Sequence, residues 1–102
     1  MKIPKSFKLL GHTIKVKYAK ELDGGKNIGE WDANTNTITL VRRKKGVPET
    51  LQEQTFCHEC CHAFVDAIGI KLPDEDSIID LLGSMLHQML TTSKYKNERH
   101  KD

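Results

Sequence analysis

The side chains best suited to chemistry in this 102-residue chain lie in one pentapeptide, His58-Glu59-Cys60-Cys61-His62. Histidines four residues apart share one face of a helix, so both can offer a ring nitrogen to a single Zn²⁺ ion at about 2.0–2.1 Å. Glu59 is placed to take a proton from a metal-bound water as that water attacks a carbonyl carbon. A shuffled chain of this composition would contain the pattern roughly 0.016 times. The pentapeptide therefore predicts a metal site with hydrolytic chemistry.

A catalytic zinc site needs a third protein ligand and an open position for water. Asp76 is the preferred third ligand, since it lies at the apolar edge of the next predicted helix. Asp80, one turn later, is expected to accept the other N–H of a ligating histidine and so fix its orientation. Glu75 is the alternative ligand, although its place on the helical wheel faces away from Asp76 and Asp80. The simpler interpretation is that these acids only favour the N-terminal end of a helix or stay solvated.

Two amphipathic helices are predicted to position these side chains. Pro48 suits the first turn of a helix and Gly69 suits its end, so the first helix should run to about Ile68. A second helix should begin near Asp74 and run to Leu90. Their buried faces are predicted to consist of Cys57, Cys61, Phe64, Val65 and Ile68 in the first helix, and of Ile78, Ile79, Leu82, Met85, Leu86, Met89 and Leu90 in the second.

Two hairpins are predicted before the helices. Apolar residues alternate with lysines in residues 7–18, with a turn at Gly11-His12, and residues 28–31 and 37–41 flank a loop rich in turn formers. The predicted fold class is therefore α+β, with a small N-terminal antiparallel sheet packed on the motif helix and on a second, C-terminal helix.

One domain is expected from the length and composition of the chain. Residues 1–92 should form it, while residues 93–102 form a charged tail that lacks apolar periodicity and should fray.

The charge of the chain is unevenly distributed. The formal net charge is +2, but residues 1–20 carry six lysines and no acid, residues 42–45 are all basic, and residues 46–90 hold eight acids against one lysine. A basic rim of this kind would allow contact with nucleic acid or an acidic partner, whereas lysines on a solvated strand face are the simpler interpretation. No stretch resembles a secretory signal or a membrane span, so a cytoplasmic location without a membrane partner is expected.

The pentapeptide and the following segment Glu75-Asp76-Ser77-Ile78-Ile79-Asp80 resemble the gluzincin zinc metallopeptidases. The second motif of that family is an acidic ligand with an Asp four residues on. The size and the order of the elements are similar to the minigluzincins and to small metallopeptidase-like proteins encoded by phages and mobile elements. The resemblance covers roughly residues 28–90.

The resemblance implies a zincin-like fold and a zinc-dependent metallopeptidase that hydrolyses a peptide or protein substrate. It implies that His58, His62 and Asp76 bind zinc, that Glu59 is the general base, and that Asp80 orients a ligand. The family usually carries Glu at the position of Asp76, which is one methylene shorter. The resemblance also implies that the strand formed by residues 37–41 aligns the substrate.

Two other functions are open on the sequence. A non-catalytic module could keep the fold and bind a protein or nucleic acid through the basic rim. A structural zinc protein could use the Cys57 and Cys60 thiols, which form a C-x-x-C pair. Cys57 and Cys61, however, lie on the apolar stripe and are expected to be small core residues. His87 is expected to be a partly buried histidine rather than the group that stabilises an oxyanion.

Overall fold

A computed structural model describes residues 1–96 of the chain, which form a four-stranded sheet and two helices. Helix α1 packs on the sheet, and helix α2 packs on α1. The α+β fold class is thereby confirmed. The elements are β1 (Ser6–Leu9), β2 (His12–Ala19), a short 3-10 turn (Asp23–Gly25), β3 (Gly29–Asp32), β4 (Thr37–Val41), α1 (Glu49–Ile68) and α2 (Glu75–Thr92).

The order of strands in the sheet is β1-β2-β4-β3. Both predicted hairpins are present, since β1 pairs with β2 and β3 pairs with β4 in antiparallel fashion. The two hairpins join along β2 and β4, which run parallel from Lys15 opposite Thr37 to Ala19 opposite Val41. The prediction of a fully antiparallel sheet is therefore wrong at its centre.

Burial explains why β4 rather than β3 lies next to β2. Ile38 and Leu40 of β4 are fully buried, whereas β3 exposes Glu30 and Asp32. The more apolar strand takes the central position, where both of its edges are paired and its side chains meet α1. As a result β3 is an edge strand, and β4 is not.

The core lies between the sheet and α1. Ile14, Val16, Ile38 and Leu40 of the sheet pack against Phe56, Cys57 and Cys60 of the helix. The ends of α1 lie where the sequence predicts them. Pro48 is its N-cap, and Gly69, with a φ of 78°, donates its N–H to the carbonyls of Val65 and Asp66.

Helix α2 buries a narrower face than the sequence predicts. The expectation of a buried stripe is wrong for Leu82, Met85, Met89 and Leu90, which are 40–57% exposed. The reason is that α2 packs on α1 along a seam of Ile79, Gly83 and His87, spaced four residues apart. Leu86 is half-buried against the core, whereas the four exposed residues lie outside this contact.

The C-terminal prediction falls partly outside the described residues. Residues 93–96 are exposed and belong to no helix or strand, and the remainder of the predicted tail, residues 97–102, is not described. Within residues 1–96, neither helix combines the length and the apolar character needed to cross a membrane.

A buried ionic contact links α1 to α2 away from the motif. His87 Nε2 lies 2.8 Å from Glu53 Oε1, and the Met1 amino group donates to Glu53 Oε2 at 3.0 Å. Both Glu53 and His87 are buried. Hydrogen bonds from His87 and from the Met1 amino group hold the pKa of Glu53 below its ordinary value of 4.5.

This contact predicts how stability responds to acid. Because folding lowers the pKa of Glu53, its contribution is complete above pH 4.5 and is lost as the pH falls through the lower folded-state pKa. We expect the urea midpoint of the wild type to fall in this acidic range. Glu53→Gln should start from a lower midpoint at neutral pH and decline less with acid.

The matched control is Glu49→Gln, which removes an exposed carboxylate one turn earlier on α1. It should reproduce the acid response of the wild type. Parallel declines in Glu53→Gln and the wild type would contradict the assignment.

Candidate metal centre

The pentapeptide lies in the middle of α1, as the motif requires. His58 and His62 are one turn apart, and their ring centroids are 4.9 Å from each other with an interplanar angle of 67°. Both side chains are partly accessible, at 29% and 20% exposure. The two imidazoles are thus neighbours on a face that a small ion can reach.

Each histidine is held by a carboxylate from α2. His58 Nδ1 lies 2.9 Å from Asp80 Oδ1, and His62 Nδ1 lies 3.2 Å from Glu75 Oε2. The contact of His62 with Glu75 is a hydrogen bond, and because a carboxylate can only accept, the ring of His62 donates from Nδ1 and in its neutral form keeps a lone pair on Nε2. Asp80 lies against the same nitrogen of His58. Carboxylates that bind the far nitrogen of a ligating histidine are common around metal ions.

The contact of Asp80 with His58 is the one that the sequence predicts. Its role beside a metal stays a prediction. The contact of Glu75 with His62 was missed, because a wheel drawn for one helix contains no information on how two helices cross. The longer Glu75 side chain reaches His62 from the first turn of α2.

Asp76 is exposed on α2, and its assignment as third ligand stays a prediction. Within residues 1–96, no group of three or more His, Cys, Asp or Glu side chains is arranged to hold a metal ion. The structure pairs His58 with Asp80 and His62 with Glu75, and Asp76 belongs to neither pair.

Glu59 is buried, with 7% exposure. The pKa of Glu59 lies above its ordinary value of 4.5, mainly because the side chain is buried. The electrostatic interaction with His58 lowers this pKa, and the charge of Glu30 raises it. The strand β3 lies close to it at Gly29. A Cβ on Gly29 would be 2.5 Å from Thr55 Cγ2 and 3.4 Å from Glu59 Oε2, so only glycine allows this approach.

A cleft of about 550 Å³ opens between the start of β3 and the two helices. His58 and Glu59 both line it, together with Asp80 and Ser84 of α2. A small volume enclosed by an imidazole, a buried carboxylate and a strand edge can admit an extended chain and a water molecule. The candidate base and one candidate ligand therefore share one cleft.

The approach of α2 to this site depends on Gly83. A Cβ on Gly83 would lie 2.9 Å from the Cα and 3.1 Å from the backbone N of His58. Distances this short involve backbone atoms that cannot rotate away, so a side chain would push the helices apart. The signal for this contact in the sequence is a glycine inside a strongly apolar helix, which usually has a packing reason.

The cysteines fit the core better than a metal site. Cys57, Cys60 and Cys61 are free and buried, which confirms that Cys57 and Cys61 are core residues. Burial raises the pKa of Cys57 to about 11 and also raises the pKa of Cys60 and Cys61. Since zinc binds the thiolate, this environment disfavours a structural site made of Cys57 and Cys60.

Comparison with known proteins gives no relative. The chain matches no family model, no curated protein and no solved structure.

The close contact at Gly83 predicts whether an alanine at this position raises or lowers the free energy of unfolding. Gly→Ala inside an open helix stabilises by about 1 kcal/mol through helix propensity. At Gly83 we expect the opposite, since overpacking against the His58 backbone costs about 1–3 kcal/mol. The free energy of unfolding of Gly83→Ala, measured in urea, should be below that of the wild type.

The control is Ser84→Ala at the exposed neighbouring position, expected to change stability by less than about 0.5 kcal/mol. A more stable Gly83→Ala protein would show that the helices are not in close contact there.

Proposed function

We propose that the protein is a zinc-dependent metallopeptidase-like hydrolase that cleaves peptide bonds. In this proposal His58 and His62 bind one Zn²⁺ and Glu59 is the general base. The observation that carries it is that an α2 carboxylate lies against Nδ1 of each imidazole, and that His58 shares a cleft with the buried Glu59. A zincin-like fold and a phage-type origin belong to the same proposal.

The donor chemistry fits zinc. Two neutral imidazoles with a carboxylate are a ligand set that Zn²⁺ favours over harder divalent ions. The third ligand would come from the first turn of α2, from Asp76, or from Glu75 in place of its contact with His62. Support for that turn comes from Glu75, which already reaches His62. The acidic residues Glu75, Asp76 and Asp80 of α2 also attract a doubly charged cation.

Bound zinc would acidify a water molecule and polarise the carbonyl of the substrate. The protein supplies the remaining parts. Asp80 and Glu75 lie against Nδ1 of the two rings and would restrain their orientation, so little reorganisation would be needed. Glu59 receives the proton of the attacking water at its carboxylate and passes it to the departing amine. Gly29 keeps β3 close to Glu59, which limits the water around that carboxylate.

The strand that would align a substrate is β3. The resemblance implied the strand of residues 37–41, but β4 is paired on both sides and has no free edge. β3 is an edge strand whose first residue, Gly29, lines the cleft. An extended peptide added to this edge would gain backbone hydrogen bonds with little sequence selectivity.

His87 takes no part in this chemistry, because it is buried and bonded to Glu53. We also propose a cytoplasmic location, where a reducing environment suits three free thiols.

A second candidate function is a non-catalytic binding module of the same fold. The observation that favours it is that the described residues contain no assembled group of three metal ligands. Such a module would keep its affinity for a partner when Glu59 is replaced.

Metal content is the first test. Protein purified without chelator should contain about one Zn²⁺ per chain by elemental analysis. His58→Ala should lose the ion, while Glu59→Gln should keep it and lose all cleavage of a denatured protein substrate. The control is His12→Ala, an exposed histidine on β2, which should keep both the ion and the activity. A wild type that neither contains nor takes up zinc would remove the enzyme proposal.

The carboxylates of α2 should differ in their effect on zinc affinity. Asp80→Asn should weaken zinc binding about 10–100-fold, the usual effect of losing a group that orients a ligating histidine. The third ligand is whichever of Asp76→Asn and Glu75→Gln weakens binding more than Asp80→Asn does. Competition with a chromophoric chelator measures all three. Unchanged affinity in Asp80→Asn would contradict its orienting role.

A further inference from the structure

A second pocket, which we call the basic pocket, adjoins the cleft at the end of the sheet where β2 and β4 finish. Parallel pairing brings both strand ends to the same place, so Lys20 after β2 and Arg42 after β4 become neighbours. The Arg42 N–H donates to the Ala19 carbonyl at 2.8 Å and locks this arrangement. Charges that are far apart in the sequence are thus concentrated at one site.

The rim of the pocket is strongly basic. Lys20, Arg42, Arg43 and Lys44 line it, and Glu21 is its one acidic residue. Arg43 donates to the Val47 carbonyl at 3.0 Å, which holds the loop after β4 against the start of α1. Four positive charges against one negative charge, around a partly enclosed space, create a potential that attracts carboxylates.

The interior of the pocket is aliphatic. Its apolar lining comes from Ile28, Val41, Val47 and Leu51, of which Ile28 and Leu51 are 49% and 41% exposed. The volume of about 190 Å³ is smaller than the roughly 300–1,000 Å³ of sites for whole small molecules. The pocket therefore suits one apolar side chain of a larger ligand.

The pocket is continuous with the cleft. Asn27, Ile28 and Thr55 line both, and Ile28 directly precedes the edge strand β3. A chain that lies along β3 with its reacting bond near Glu59 can place a neighbouring side chain in the basic pocket. The described lining contains no aromatic residue, which disfavours single-stranded nucleic acid, because bases in such complexes stack on aromatic rings.

We propose that the basic pocket is a specificity subsite for a peptide substrate, and that it selects a large aliphatic side chain flanked by carboxylates. This inference rests on the proposed function, since it assigns the substrate class of the same cleft. The aliphatic interior binds the side chain, and the basic rim binds the flanking acids.

The test uses Glu59→Gln protein, so that binding is measured without cleavage. The probe is a short fluorescein-labelled peptide with a central leucine between two pairs of glutamates. Its matched control replaces each glutamate by glutamine. At low ionic strength, fluorescence anisotropy should give the acidic peptide a dissociation constant about tenfold lower than the amide peptide, and salt should reduce the difference.

Charge reversal locates the effect. Arg42→Glu with Lys44→Glu, added to Glu59→Gln, should raise the dissociation constant of the acidic peptide about tenfold and leave the amide peptide nearly unchanged. The control pair, Lys15→Glu with Lys17→Glu, makes the same change in net charge at exposed positions of β2 outside the pocket. It should change binding less than about twofold.

Leu51→Ser tests the aliphatic interior, since it should weaken both peptides alike by removing apolar contact. Equal binding of the two peptides would overturn the proposal. So would equal losses in the two charge-reversal pairs, or tighter binding of a poly-dT oligonucleotide at the same pocket. If the wild type cleaves neither peptide while the binding pattern holds, the proposed function fails and the pocket remains a peptide site. If it cleaves both at equal rates, the subsite alone fails.

Discussion

The contact between Gly83 and the backbone of His58 determines the geometry of the site. Because Gly83 has no side chain, α2 lies close enough to α1 for Asp80 and Glu75 to reach the two histidines. A wider separation would leave both rings free to rotate, and each Nε2 would lose its fixed direction. The pairing of Glu53 with His87 further along α2 holds the same two helices together.

The other side of the site is set by the sheet. Burial of Ile38 and Leu40 draws β4 into the centre and leaves β3 at the edge, next to Glu59. Gly29 then permits the close approach that encloses this carboxylate. The central position of β4 also pairs it in parallel with β2, which brings together the basic residues that follow the two strands. One choice of strand order thus produces both the edge beside the cleft and the basic pocket.

Features with a local physical cause were predictable from the sequence. Helix α1 begins after Pro48 and ends before Gly69, because proline suits a helix start and glycine suits the left-handed cap. The spacing of His58 and His62 placed them on one face for the same kind of reason. Features that depend on how elements cross were not predictable. The contact of Glu75 with His62 and the exposure of Asp76 and Met85 follow from the narrow face that α2 buries against α1.

The proposed metal site requires that His58 and His62 each keep Nδ1 against an α2 carboxylate and present Nε2 to one Zn²⁺ ion. Long-range ¹H–¹⁵N NMR of the imidazoles tests it most directly, with zinc added stepwise to metal-free protein. The account predicts the Nδ1–H tautomer at His58 and His62 before addition, followed by shifts of both Nε2 signals that end together at one equivalent. An Nε2–H tautomer at either ring, or Nε2 signals that do not respond to zinc, would contradict it.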